Sequence, residues 1–415
     1  MLLSRHGILA TFCWWSTLLW LPSLHSFSYN SIRVRRPPIV SGFSTLSSLP
    51  ITNAEDDEWI LSHGLLLSSF TDGLRNNVAA QEALRHGLVR TLLLEAIRQV
   101  ESIVQQSATF SPCCGPTNVA AWSCLEQLDE AVSKVDEVID DPLKVFWNCF
   151  TEKENASLLR NYPIVLRVAY IPTAMYALRP ESHNTPGKQR QRARADAKQR
   201  RDELFQLLQQ LLTHPQHSSI PVQICTVDWD DGSVKQPQQS PYCCAVDIAT
   251  IPAQGKQVFG EWSPHLIYVQ GGNTFWLHHC MTKGHWDTDL LQLCQRTNAF
   301  YIGASAGAIL AGRWMQTACW KEWDDPRVVP GMEEYGAWES VAGLQMMGEY
   351  SVFVHYDEEQ WVTRVEEKSR AMEGGRRHLI TLRDDQAVYV NGRQLEVRIL
   401  SSLETFVEKK IASNL

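Results

Sequence analysis

Positive charge is what this chain has least to spare. Asp and Glu outnumber Lys and Arg 46 to 38, a formal net charge of −8, so no overall positive field gathers phosphates, which argues against a general nucleic-acid binder. None of the eleven cysteines forms a C-x-x-C pair, which argues against a structural zinc site or a thioredoxin-like motif, and no metal or cofactor is expected. No internal repeat is present. The most apolar stretch, GILATFCWWSTLLWLPSL near the N-terminus, is shorter than a comfortable membrane span. From Ser26 to Ala54 there is no acidic residue at all.

What is there begins with those first residues. Arg5 and His6 followed by the apolar core read as a signal peptide, and Arg33, Arg35 and Arg36 among serines read as a transit segment. Residues 1–54 are therefore expected to be a targeting leader, similar to the two-part leaders of proteins bound for complex plastids. The alternative is secretion or residence in the endomembrane lumen; no stable membrane association is expected once the leader is removed. The remaining 55–415, in a chain that is 44% hydrophobic, can bury a large core. The cysteines are expected as buried free thiols, with the adjacent pairs Cys113-Cys114 and Cys243-Cys244 as the places where a secreted form could carry disulfides. Asn155-Ala156-Ser157 is a glycosylation sequon, meaningful only on a secretory route.

Taken in order, the apolar runs at 59–70, 165–170, 222–227, 266–270 and 300–302 read as buried strands. Between the first two, helical spacing such as Leu84, Leu88, Leu92, Ala96 and Val100 predicts a long helix over 77–107, then helices over 119–138 and 145–159. This makes a helical insertion at about 75–160. The basic run 188–201 carries Lys188, Arg190, Arg192, Arg194, Lys198, Arg200 and Arg201 against Asp196 alone. It leads into Leu204, Leu207, Leu208 and Leu211, so it reads as the solvated face of an amphipathic helix. Strands at 350–354, 379–382, 387–390 and 395–400, the last two joined by a turn at Asn391-Gly392, close the chain. Strands alternating with helices indicate a mainly parallel sheet covered on both faces.

The chemistry gathers at Gly303-Ala304-Ser305-Ala306-Gly307. A serine on a tight strand-to-helix turn, with glycines two positions either side, is pushed out as a nucleophile, and the N–H of Ala306 is aimed where an oxyanion would form. A plain structural turn has the same small residues. Acyl transfer also needs a base and an acid that holds it. His355, just after the strand at 350–354, is the best-placed histidine, and Asp324 and Asp325 lie between it and Ser305. Upstream, Gly271-Gly272-Asn273-Thr274-Phe275 follows a strand and opens a helix, a geometry in which backbone N–H groups can face a ligand. Adjacent His278, His279 and Cys280 point about 100° apart from one to the next on a helix, so a shared metal is not expected.

The combination of G-G-N-T-F, G-A-S-A-G and V-H-Y-D, at 271–275, 303–307 and 354–357, resembles the S51 serine peptidases, which include dipeptidase E and cyanophycinase. Leu65–Ser69 and Tyr170–Ala174 echo the family's first two strands. The resemblance implies a three-layer α/β/α sandwich like that of class I glutamine amidotransferases. It implies Ser305 as nucleophile, His355 as general base, Gly272 and Ala306 as oxyanion donors, and Asn273 and Thr274 as substrate-binding positions. It also implies an acidic residue between serine and histidine, which favours Asp324, with Asp325 and then Glu322 behind it. The expected activity is hydrolysis of short peptides, with an N-terminal aspartate as the suggested preference, without cofactor, and a homo-oligomer is compatible with it. Arg313, Lys321 and Arg327 lie near the motifs as carboxylate binders, although surface cations are usually solvated. An esterase of another α/β class and a non-catalytic binding protein on the same fold are the alternatives.

Overall fold

The computed structural model describes residues 65–68, 71–110, 116–137, 139–151, 164–217, 219–235, 250–372, 374–391 and 396–401. The leader, the Asn155 sequon, both adjacent cysteine pairs and Gly392 of the expected turn lie outside them. Five strands run parallel in the centre of the main sheet, in the spatial order β1 (Leu65–Ser68), β6 (Phe300–Ala304), β5 (Leu266–Val269), β2 (Leu166–Ile171) and β3 (Val222–Val227). The hairpin of β9 (Gln386–Asn391) and β10 (Glu396–Ser401) extends one edge antiparallel, and the short β4 (Val234–Lys235) extends the other.

Alternation along the strands divides the apolar side chains between two cores. Leu266, Tyr268, Phe300 and Ile302 face one layer of helices, and Ile267, Val269 and Tyr301 face the other. The first layer is α2 (Val78–Phe110), α3 (Pro116–Asp136), α4 (Pro142–Thr151) and α5 (Pro186–Leu211), after the short α1 (Thr71–Asn76). The second layer includes α6 (Thr274–Lys283), α7 (Trp286–Thr297) and α8 (Ala306–Ala311), with α9 (Glu358–Ala371) contributing Val365. This is the expected α/β/α class. Helix α2 lies close on the sheet because Gly87 has no side chain: a Cβ there would stand 2.2 Å from the Phe300 ring.

Charge ties the same helix down. Glu95 on α2 pairs with Arg167 of β2 at 3.3 Å and faces the buried His265, whose Nδ1 accepts the Arg167 N–H at 3.2 Å. Burial alone would raise the Glu95 carboxyl, but His265, Arg167 and Arg98 together hold it down at about 2. Burial lowers His265 to about 4. At neutral pH the imidazole is therefore uncharged, and the arginines are the cations that balance Glu95.

One expectation changes here. The strand before His355, β7 (Ser351–Phe353), does not join the main sheet. It pairs in parallel with β8 (Leu379–Thr381) in a separate two-stranded ribbon. The cysteines among the described residues, at 124, 149, 225, 280, 294 and 319, are buried thiols.

Candidate active site

β1, β2, β5 and β6 end on the same edge of the sheet, where a parallel α/β fold opens its crevice. Ser305 stands there at φ 48° and ψ −106°, between β6 and α8. The strain is enforced by close packing on either side. A Cβ on Gly303 would lie 2.5 Å from the Gly307 carbonyl oxygen, and one on Gly307 would lie 2.4 Å from the Val269 oxygen. The Ser305 N–H donates to the Ser68 carbonyl at 2.9 Å, which stitches the turn to β1 and leaves the side chain free of any capping duty.

The hydroxyl meets His355 Nε2 at 3.0 Å, and the other ring nitrogen, Nδ1, meets Asp384 Oδ1 at 2.6 Å. The register of the ribbon explains the second contact. β7 and β8 are parallel with Phe353 opposite Thr381, so the residues just past their ends emerge side by side. The Tyr356 N–H donates to Leu382 O at 2.8 Å and extends the pairing to the site. Asp384 heads the turn into β9 and is largely exposed, 69% for its side chain, whereas the His355 side chain is 17% exposed.

The acids expected on the histidine are engaged elsewhere. Asp324 Oδ2 accepts the Thr274 N–H at 2.8 Å, at the start of α6. Burial pushes its carboxyl up, against the Thr274 hydrogen bonds and the nearby His355, which lower it. Asp325 caps a short turn through the Arg327 N–H and pairs with the Arg327 guanidinium, both at 2.9 Å. Glu322 pairs with Arg364. Sequence order put these three between serine and histidine, but the fold gives Nδ1 to a carboxylate 29 positions beyond the histidine. The available signal was the Asp384-Asp385 pair between two expected strands, the first of which had only to be parallel to the strand before His355.

The Gly-Gly turn abuts the serine: a Cβ on Gly271 would come 2.9 Å from Ser305 Cβ. Gly272 sits at φ 151°, with space for no side chain, because a Cβ would meet Ala174 O at 2.4 Å. Its N–H and that of Ala306, the first in α8 and hence without an intrahelical acceptor, lie on the two backbone turns beside Ser305. Asn273 and Thr274, expected to touch substrate, line the cavity beside Ser305 and also have structural partners. Asn273 caps α6 through the Trp276 N–H at 2.9 Å and donates to Asp325 O at 3.1 Å, and Thr274 is buried on Asp324.

A cavity of about 1090 Å³ opens over Ser305 and His355. Its lining includes one face of α5, with Gln189, Arg192, Asp196 and Arg200, and also Arg179. The basic run read as a solvated face thus lines the crevice in part. The three cations expected near the motifs are instead occupied: Arg313 by Glu349, Arg327 by Asp325 and Glu181, and Lys321 by backbone carbonyls. The acidic cluster Asp228, Asp230 and Asp231 at the end of β3 has cations around it, with Lys235 on Asp228 and Arg190 and Arg194 facing the other two.

Residues 261–398 match the model of peptidase family S51. Over this stretch the chain is similar to the S51 peptidases. The matched region holds the Gly-Gly turn, Ser305, His355 and Asp384, while α2 to α5 lie outside it. A crystal structure from Listeria monocytogenes EGD-e, of a protein provisionally named peptidase E, is similar at 16% identity with a TM-score of 0.32, over 57% of this chain and 85% of that one. No curated protein matches. The match supports a hydrolase of the peptidase class.

Proposed function

We propose that the protein is a serine-type peptidase that cleaves short peptides through an acyl-enzyme, with Ser305 as nucleophile, His355 as general base and Asp384 as the acid that orients it. The observation that carries this is the unbroken line from Ser305 Oγ to His355 Nε2 at 3.0 Å and from Nδ1 to Asp384 at 2.6 Å. Asp384 holds the proton on Nδ1, so Nε2 presents its lone pair to the hydroxyl. As Oγ attacks the peptide carbonyl carbon, its proton passes to Nε2. The carbonyl oxygen becomes an oxyanion, and the N–H groups of Gly272 and Ala306 are the donors assigned to it. The imidazolium then protonates the leaving amine. A water, deprotonated by the same Nε2, releases the acyl group.

Asp324 has a different part in this scheme. By holding the first N–H of α6 it fixes the Gly271-Gly272 turn against Ser305. Arg179, Arg192 and Arg200 on the cavity wall support a preference for substrates with a carboxylate, including an N-terminal aspartate. The test is hydrolysis of a panel of dipeptides, acidic and neutral, and of aryl esters, by the chain from about residue 55 and by Ser305→Ala. Peptide cleavage that disappears in the variant is expected, with acidic dipeptides fastest. Ester cleavage without peptide cleavage would favour the esterase, and cleavage that survives Ser305→Ala would remove the serine mechanism.

A further inference from the structure

Lys321 is a buried lysine, 9% exposed, and among the described residues no carboxylate lies within ion-pair reach of its Nζ. A buried ammonium without a counter-ion is costly unless its donors are used. Here they are spent on the Val354 carbonyl at 2.7 Å and on the His355 carbonyl. Three aromatic rings surround the charge, Trp323 at 4.3 Å, Phe353 at 4.7 Å and Trp361 at 5.0 Å from ring centre to Nζ. Their negative faces stabilise a cation in a place where water is scarce.

The two carbonyls are significant because of what lies between them. The Val354 and His355 carbonyls belong to the peptide planes on either side of the His355 Cα. A single ammonium that binds both fixes the angle between those planes, and with it the φ and ψ of His355. That residue sits at φ 51°, a left-handed conformation that a non-glycine residue keeps only when its surroundings enforce it. One residue on, the Tyr356 N–H donates to the Leu382 carbonyl and holds the next peptide unit. A ring displaced by a fraction of an ångström would lose its line to Ser305.

We propose that Lys321 is the positioning residue for His355: caged by Trp323, Phe353 and Trp361, its ammonium locks the left-handed backbone that aims Nε2 at Ser305. The inference rests on the serine-peptidase reading and goes beyond it, since it assigns a role to a cation that holds the backbone of His355 and not its imidazole. It also gives the exposed Trp323, whose ring lies 5.7 Å from that of His355, a reason to sit at the site as the cage's outer wall.

The cage has a pH signature. Burial pulls the Lys321 ammonium down to about 8, against the pull of Asp384 and Asp357, the carboxylates that raise it. Of the other charged groups around it, Glu322 is paired with Arg364 of α9, and Asp324 points to Thr274. Burial drives the neighbouring Cys319 thiol up to about 12, outside the window. Above pH about 8 the amine becomes neutral, and its charge-assisted bonds to the two carbonyls weaken. An arginine in its place would stay charged throughout and can also stack on the rings.

The experiment is the rate at which a serine-directed phosphonate labels Ser305, measured by mass from pH 6 to 10 on the whole mature chain, for wild type, Lys321→Met and Lys321→Arg. The wild-type rate is expected to fall above pH about 8. In Lys321→Met it is expected to be about tenfold to a hundredfold lower at neutral pH, with the substrate KM little changed. In Lys321→Arg it is expected to stay nearer wild type and to lose the alkaline fall. Wild-type labelling kinetics in Lys321→Met would overturn the inference and leave the serine mechanism standing. So would an alkaline fall retained in Lys321→Arg, which settles the matter even where the methionine variant does not fold. Failure of the wild type itself to label would instead take away the serine mechanism, and with it any histidine to position.

Discussion

Ser305 and His355, the two residues that meet through a 3.0 Å hydrogen bond, both hold positive φ, 48° and 51°. Each such conformation costs about 1–3 kcal/mol in a non-glycine residue. The two are sustained by different means, Ser305 by glycines packed against backbone on both sides and His355 by hydrogen bonds to its own carbonyl and its neighbour's. Glycine is equally necessary at 272, where φ is 151° and a Cβ would strike Ala174 O at 2.4 Å. Gly272→Ala is therefore expected to displace the turn and cost about 10²- to 10³-fold in kcat, the range for loss of one oxyanion donor, with KM nearly unchanged. Steady-state kinetics on a cleaved dipeptide checks this. An unchanged kcat would mean that the Gly272 N–H does not face the reacting oxygen.

At the scale of elements, the sheet was legible because its strands are apolar runs separated by breakers, and the observed ranges 222–227 and 266–269 fall on or within one residue of the expected ones. The Ser305 turn was legible for a similar reason, since its glycines are required by local packing. The acid was not. Its place depends on β7 and β8 being parallel and in register, a pairing between segments 28 residues apart that no local pattern records. On the basic face of α5, Lys188, Arg192, Arg194 and Lys198 are exposed as read, and that Arg192 and Arg200 also line the crevice was not legible because solvent and crevice look alike to a helical wheel. The turn that carries Asp384 also depends on the helical layer. Asn77, buried between α1 and α2, donates to Asp385 O at 3.0 Å and Leu400 O at 3.1 Å, and its Oδ1 accepts the Ala80 N–H at 2.9 Å. Asn77→Ala would leave these groups without partners and is expected to lower stability by about 1–3 kcal/mol and slow catalysis as the Asp384 turn loosens. Urea unfolding alongside kcat checks both, and a variant with wild-type stability would show that the anchor is dispensable.

For the whole molecule, the buried pair behind the sheet sets an acid limit. His265 is lowered to about 4 from 6.5, so between those values the unfolded chain binds the proton that the folded chain excludes. Stability from this group is complete above pH about 6.5 and is lost as pH falls towards 4. Glu95, lowered to about 2 from 4.5, adds a second loss below pH about 4.5, also because the unfolded state binds more protons. Thermal melting from pH 8 down to 4 is expected to show Tm falling from about 6.5, and His265→Asn is expected to flatten the upper part of that fall. A Tm independent of pH down to 5 would contradict it. The central claim, that Asp384 and not Asp324 completes the line to Ser305, is tested most directly by kcat for a cleaved dipeptide in two isosteric variants. Asp324→Asn keeps an oxygen for the Thr274 N–H and is expected to lose less than about tenfold. Asp384→Asn removes the charge on His355 Nδ1 and is expected to lose between about 10²- and 10⁴-fold, the lower part of that range because solvent reaches this carboxylate. Near-normal turnover in Asp384→Asn beside a collapse in Asp324→Asn would contradict the account.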